Sequence, residues 1–512
     1  MPPSVPADRR QPPPFDVKGK HVYMVGIGGC GMSGLARLLA SRGAIVCGSD
    51  TSRSDVTSEL ASEGVEIGFD QQRGVLPERC DFVVHSAAIK PAHPELIAAV
   101  ERGVATLSYA EALGRCMMGR TGVSVAGTHG KSTTTAMLGI ALTDAGLDPS
   151  VIVGAVSSQL AAGACSAPQR AIGFRIGAER VPDGGLQGRP GILVAEACEF
   201  NRSFHHHFPT VASISSVEAD HLDVYGTLDA VVESFREFAM LLPPAEEGGL
   251  LLIADEGAHR REITAGLRCK VQTIGFSPAA DWVVWLDSST GQVTLSRGRE
   301  AVAQWTNRVP GAHNAMNAAT ACAIAISLGA DPRKVERSLS EFRGIDRRMQ
   351  FLGEKRFDRQ AGTVRVYDDY GHHPTEVEAT LRAIRDHERP QERGGRLVCV
   401  FQPHQHSRTR FLLEEFASAF GQADIVIVPH IYFVRDSEVE KSRVSSQDLV
   451  DRLRSRGVHA MHLYPFDAIV EHLQNLCKPD DLVIVMGAGP VYQIAHGFLG
   501  SGPAVSGGGA GA

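Results

Sequence analysis

A short apolar run, Val123–Ala126, turns through Gly127-Thr128-His129-Gly130-Lys131-Ser132-Thr133 and leaves as a helix expected over Thr133–Ala145. A strand that passes through glycines straight into a helix is the layout of a phosphate-binding loop, and it commits this part of the chain to an α/β sheet. Gly127 and Gly130 let backbone N–H groups approach phosphate oxygens, and the helix N-terminus adds partial positive charge. Lys131 supplies a full charge, and the Ser132 hydroxyl suits Mg2+. Gly127, Thr128, His129, Gly130, Lys131, Ser132 and Thr133 are thus the candidate phosphate contacts. The glycine usual five residues before Gly130 is absent. Val125 holds that place and Gly127 comes two residues later, a variant of the loop.

With 512 residues the chain has room for about three domains, each with its own core. A hydrophobic content of 43% and a charged content of 21% are those of an ordinary globular protein. Lys+Arg 51 against Asp+Glu 58 gives −7, which argues against a nucleic-acid partner. No apolar run approaches the ~20 residues that span a bilayer. Ten cysteines are scattered without a CxxC pair and read as reduced thiols of a cytoplasmic protein. Met1–Pro14 is Pro-rich and polar, neither signal peptide nor anchor. Disordered tails are expected at 1–15 and 501–512.

Residues 16–119 read as a first α/β domain. Strand Val22–Ile27 runs into Gly26-Ile-Gly28-Gly29-Cys-Gly31, followed by a helix from Met32 to Ser41, and strand Ala44–Gly48 leads to Asp50. This is a dinucleotide-type glycine spacing with an acid near the ribose position, so NAD and other nucleotides stay open. Strand Asp81–His85 ends at Ser86-Ala87, where parallel sheets gather binding residues.

Residues 120–342 form a second domain around the opening loop. Strand Gly191–Ala195 ends at Glu196, and strand Thr210–Ser215 leads to Glu218-Ala-Asp220-His221. Glu196 and His221 are the candidate ligands for a nucleotide–Mg2+ complex. Residues 161–190 are Gly-, Ala- and Arg-rich and read as a long inserted loop. His205-His206-His207 reads as a loop or helix end, because three adjacent side chains cannot all face one ion. His313-Asn314-Ala-Met-Asn317 opens an Ala-rich helix to Leu328, and Arg347-Arg348 lies in a hinge where it could complete a phosphate site.

Residues 343–500 are again α/β, with strands at 364–368, 397–401, 424–428, 459–463 and 481–486. Polar residues cluster after the first two: Asp368-Asp369-Tyr370-Gly371-His372-His373-Pro374-Thr375-Glu376, and Gln402-Pro-His404-Gln405-His406-Ser-Arg408. Runs of this kind line sites more readily than cores.

Taken in order, the glycine turn at 26–34, the loop at 127–135, Glu196, Glu218–His221, the His313–Asn317 run, Arg347-Arg348 and the 368–376 run resemble the Mur ligases over residues 20–498. The 368–376 run points to the members that add L-alanine. The resemblance implies a three-domain α/β protein: an N-terminal Rossmann-like domain, a central P-loop-type ATP-binding domain, and a C-terminal Rossmann-like domain with a mostly parallel sheet. It implies ATP-driven ligation of L-alanine to UDP-N-acetylmuramate through an acyl phosphate, with Mg2+, by a monomer or homodimer with no nucleic-acid or membrane partner.

Carried over by residue, Gly26, Gly28, Gly29, Gly31, Met32, Asp50, Ser86 and Ala87 would bind the UDP substrate. The loop 127–133 with His313, Asn314, Asn317 and Arg347 would bind ATP. Ser132, Glu196 and His221 would hold metal, and Tyr370, His372, His404 and Arg408 would face the amino acid. Lys131, Arg347 and His372 would be catalytic. Cys198, Asn201 and Gln405 depart from the family pattern, and the 161–190 insertion has no counterpart in it. The remaining alternatives are a Mur-type ligase adding another amino acid or a tripeptide, an NAD-dependent oxidoreductase, and a non-catalytic nucleotide switch.

Overall fold

The computed structural model describes residues 15–500, except 168, 357–361 and 435. The expected tails lie outside the described residues, apart from residue 15. Phe15 packs its ring 5.4 Å from that of Phe82, and Val17 is buried, so the fold has begun by this point.

The first sheet is wholly parallel. Across it run Glu66–Gly68, Ile45–Ser49, His21–Val25, Phe82–His85 and Ala105–Ser108. Strand order reverses between His21–Val25 and Phe82–His85, which opens a crevice at their carboxyl ends. The glycine turn and Ser86 sit there.

The second sheet has ten strands, in the order Glu300–Thr306, Gln292–Arg297, Trp282–Asp287, Lys270–Gly275, Leu250–Ala254, Val211–Ile214, Thr121–Ala126, Ile192–Glu196, Ser150–Ser157 and Ile172–Arg175. Pairing is parallel through the middle and antiparallel at both edges. Helix Lys131–Asp144 starts two residues earlier than expected. It packs on Ala312–Ser327, whose buried Ala315, Ala318, Ala319 and Ala321 allow close approach.

The 161–190 segment is not the structureless loop expected. Ile172–Arg175 adds an antiparallel edge strand to Ser150–Ser157. Phe174 reaches the first domain: Arg37 lies 4.4 Å over its ring, and a side chain at Gly34 would meet its Cβ at 2.9 Å.

The third sheet runs Gln350–Arg356, Thr363–Asp369, Leu482–Met486, Leu397–Phe401, Ile425–Val428, Ala460–His462. Only its first pair is antiparallel. Among the described residues no helix is long and apolar enough to cross a membrane.

Candidate active site

The loop's two glycines are fixed by their neighbours. At Gly127 (φ 132) a side chain would meet Ser215 Oγ at 2.1 Å, and at Gly130 (φ 79) it would meet Asn317 Oδ1 at 2.4 Å. The loop is braced on the segment after strand Val211–Ile214. Thr128 N–H donates to Ser216 O at 2.8 Å, His129 N–H donates to Ser216 Oγ at 3.1 Å, and Glu218 N–H donates to Thr128 Oγ1 at 2.9 Å. Lys131 Nζ donates to the carbonyls of Gly127 (2.7 Å) and Thr128 (3.0 Å) and to Glu199 (3.0 Å). Burial alone would strip its proton more readily, but Glu199 and the acids beyond it hold the ammonium above the ordinary lysine range. Thr133 begins the buried stretch of the helix, and Thr134 donates to Asn317 Oδ1 at 3.2 Å.

Ser132 Oγ lies 3.0 Å from both Glu196 oxygens, one of which accepts from Gly154 N–H at 2.9 Å. A hydroxyl and a carboxylate aimed at one point are the hard oxygens that Mg2+ takes, so this pair fits the ion. His221 converges instead with Glu199 and Asp220, their ligand atoms lying within 4.8 Å of one another. His129, Glu218 and His373 also converge, but His373 Nδ1 already accepts from Thr375 N–H as a helix cap at 3.3 Å. The His205–His207 run separates as expected: His205 Nε2 faces Ser234 O at 2.8 Å, and His207 Nδ1 faces Ser124 Oγ at 2.9 Å.

At the start of helix Ala312–Ser327, Asn317 Nδ2 donates to Asn314 Oδ1 at 3.4 Å, and Asn314 Nδ2 donates to Pro310 O at 2.8 Å. Burial, helped by Arg348, pushes His313 down to about 4, so its imidazole is neutral at pH 7.

The arginine pair divides differently from expectation. Arg347 turns away from the loop and donates to Asp368 (3.2 Å), Gly487 O (2.7 Å) and Gly489 O (3.2 Å). Arg348 turns toward the loop: it donates to Glu376 at 3.3 Å, while Glu376 also lies 3.4 Å from His129 Nδ1.

In the first domain, Gly26 has φ 79, and Gly28 N–H donates to Asp50 Oδ2 at 2.8 Å. The other Asp50 oxygen accepts from Thr51 N–H at 2.8 Å, so the acid expected at the ribose shapes its own turn. Gly29 caps helix Cys30–Ser41, in which Met32 is buried. A side chain at Gly31 would strike Tyr109 Oη at 2.7 Å. Ser86 is half-buried and Ala87 exposed at the crevice.

The four residues expected to face the amino acid come together. The His372 ring lies 5.4 Å from Tyr370 and 5.6 Å from His404, whose Nδ1 is 3.2 Å from Arg408. His372 Nδ1 is 3.1 Å from Tyr370 O, a contact that needs the proton on Nδ1 and leaves the Nε2 lone pair free for a ligand. Burial, with Arg408 adding to it, pushes His372 down to about 3. Arg408 is already bound to Asp220, at 2.6 and 3.1 Å. Burial works against the Asp220 charge, but Arg408 and the surrounding histidines hold its carboxyl far below the usual range. Of the departures, Gln405 (φ 63) caps the helix carrying Arg408. Cys198 is a thiol pushed up to about 12 by burial, with the Glu199 charge adding to it.

Sequence reasoning assigned no role to Glu199, Asp220 and Glu376, and named Arg348 only as half of the hinge pair. All stood inside runs it had singled out, but a run does not say which of its acids meets which cation: Glu199 pairs with Lys131, Glu376 with Arg348, and Asp220 with Arg408 of the third domain.

Family models match the chain in three pieces: the Mur ligase family catalytic domain over residues 21–121, the Mur ligase middle domain over 125–325, and the Mur ligase glutamate ligase domain over 347–489. The chain is 36% identical to the UDP-N-acetylmuramate–L-alanine ligase of Agathobacter rectalis over 485 residues, covering 94% of this chain and 97% of that one. It is 39% identical to the enzyme of the same name from Kineococcus radiotolerans, covering 93% and 95%. The crystal structure of UDP-N-acetylmuramate-alanine ligase from Thermotoga maritima shares the fold, with a TM-score of 0.70 at 24% identity over 94% of this chain and 98% of that one.

Proposed function

The chain belongs to the Mur ligase family, and we propose that it joins L-alanine to the carboxylate of UDP-N-acetylmuramate, converting ATP to ADP and phosphate. The observation that carries this reading is a contact between the stretch expected to face the amino acid and the phosphate-loop region. The run 369–376 meets the phosphate loop through Glu376, 3.4 Å from His129, and meets the segment bracing that loop through Thr375 Oγ1, which donates to Glu218 at 2.6 Å. The nicotinamide reading of the first glycine turn is dropped, because residues 21–121 match the Mur ligase model.

A carboxylate is a poor electrophile and needs activation. Its oxygen attacks the γ-phosphorus, the bond to the β-phosphate oxygen breaks, and an acyl phosphate and ADP result. Lys131, held charged, binds the β- and γ-phosphates, and Arg348 faces the same loop from the hinge. Ser132 and Glu196 would hold Mg2+, which when bound screens phosphate charge. The neutral alanine amine then attacks the acyl carbon, the C–N bond forms, the acyl C–O bond breaks, and phosphate leaves, taking up the proton that the nitrogen loses. With its basicity pushed down to about 3, His372 is too weak a base to deprotonate an ammonium of pKa ~8. It orients the neutral amine through Nε2 instead. Closure of the third domain excludes water from the acyl phosphate.

This reading sets the protein in the cytoplasm, as a monomer or homodimer acting on small molecules. Its ten free cysteines suit a reducing compartment. The test is ADP release with UDP-N-acetylmuramate against L-alanine, glycine, L-serine and the tripeptide acceptor of the recycling ligases. Alanine-dependent release is expected, reduced at least about a hundredfold by Lys131→Ala. Release with the tripeptide alone would move the chain to the recycling type, and ATP binding without acceptor-stimulated release would make it a switch.

A further inference from the structure

Glu376 sits in the first turn of helix Pro374–Glu388, behind the His373 cap, and its side chain is 11% exposed. Four groups from three stretches of chain meet its two oxygens. Oε1 lies 3.3 Å from Arg348 Nη1 of the hinge and 3.4 Å from His129 Nδ1 of the phosphate loop. Oε2 accepts the His372 backbone N–H at 3.0 Å and lies 3.5 Å from His372 Nδ1. The loop, the hinge and the amino-acid side therefore meet on one carboxylate. His129 stands between two carboxylates, Glu376 of the third domain and Glu218 of its own. Both its ring nitrogens are buried and make no aligned hydrogen bond, each lying at an ion-pair distance of 3.4 Å, Nδ1 from Glu376 and Nε2 from Glu218.

We propose that Glu376 is a positioning residue that couples nucleotide binding to amino-acid binding, by holding His129 and Arg348 on one oxygen and His372 on the other. It touches no substrate itself. A nucleotide that fixes the loop fixes His129, which sets Glu376, which in turn sets the His372 ring against the incoming amine. A charge shared by two sites is a coupling element, and its loss lowers the mutual dependence of the two ligands rather than one affinity alone.

The inference rests on the proposed ligase reading, and the experiment separates the two. The wild-type protein is first assayed for alanine-dependent ADP release with UDP-N-acetylmuramate. Failure there removes the ligase reading and the coupling with it. Given that activity, L-alanine affinity is measured with and without a non-hydrolysable ATP analogue, in wild type and in Glu376→Gln, which keeps an acceptor for the His372 amide but no charge. The wild type is expected to bind alanine at least fivefold more tightly with the analogue present. Glu376→Gln is expected to lose that dependence, with KM for ATP and for alanine both raised and kcat lowered at least tenfold. Glu376→Asp, which keeps the charge, is expected to restore part of the dependence, and it serves as the test if Glu376→Gln does not fold. A merely structural role would lower melting temperature and leave the dependence intact. Unchanged dependence in folded Glu376→Gln, or its full loss in folded Glu376→Asp together with unchanged KM values, overturns the proposal.

Discussion

Arg347 and Arg348 are neighbours in sequence with separate partners, because the backbone turns at the first of them. Arg347 has φ 60, in the left-handed region. Its guanidinium lies between the rings of Tyr370 and Tyr492, at 5.0 and 4.8 Å, and ties strand Thr363–Asp369 to the turn after Leu482–Met486. Read in sequence, the pair was one basic patch with Arg347 at the γ-phosphate; only the dihedral separates them. Arg347→Gln is expected to lower stability by about 2 kcal/mol, the worth of charge-assisted hydrogen bonds left unmade, and to leave ATP affinity within about twofold. Arg348→Gln is expected to do the reverse, with melting little changed and kcat lower by about tenfold or more. Thermal melts and steady-state kinetics on the two variants separate these outcomes. An equal kinetic loss in both would return Arg347 to the phosphate.

At the scale of elements, the buried parallel strands were legible and the edges were not. Thr121–Ala126 and Leu482–Met486 are short apolar runs bounded by glycine, because both faces of a central strand are covered. Ile172–Arg175 has Gly173 at its centre and lies in polar surroundings, so nothing local marks it as a strand. Its pairing is supplied by Ser150–Ser157, and its packing by a helix of another domain. Gln350–Arg356 is an edge strand of the same kind, carrying charge on its exposed face. Phe174 helps seat the 161–190 insertion on the first domain, together with Ile176 and the Arg170–Glu59 ion pair. Phe174→Ala is expected to cost about 1–2 kcal/mol, through the lost cation–π contact with Arg37 and the gap left against Gly34. It should appear as a lower urea midpoint with nucleotide affinity unchanged. An unaltered midpoint would mean that the insertion is carried by its other contacts.

At the scale of the whole molecule, the third domain is held on the second by charge: Arg408 on Asp220 at 2.6 Å, Thr375 on Glu218 at 2.6 Å, and His129 between Glu218 and Glu376. The candidate site residues were legible one by one, but this closure was not, because each partner of a pair stands in a different domain's run. The closure should depend on pH through His129. Burial works against the His129 charge, yet Glu218 and Glu376 raise it to about 9. His373, with its ring 4.7 Å away, and His313 are the other titratable groups facing it. In the folded, docked chain His129 keeps its proton to about 9; unfolded, it loses it near the ordinary value of ~6.5, while undocking alone takes away Glu376 and leaves Glu218 of its own domain. The contribution is therefore complete below pH ~6.5, declines as pH rises, and is gone above about 9, a span on the order of 3 kcal/mol. Wild-type melting temperature is expected to fall from pH 6.5 to 9, and His129→Gln, which cannot take up the proton, is expected to melt lower at pH 6.5 and to lose that slope. Parallel slopes in the two proteins would assign the alkaline loss to another group and leave the Arg408–Asp220 pair as the main electrostatic hold between the domains.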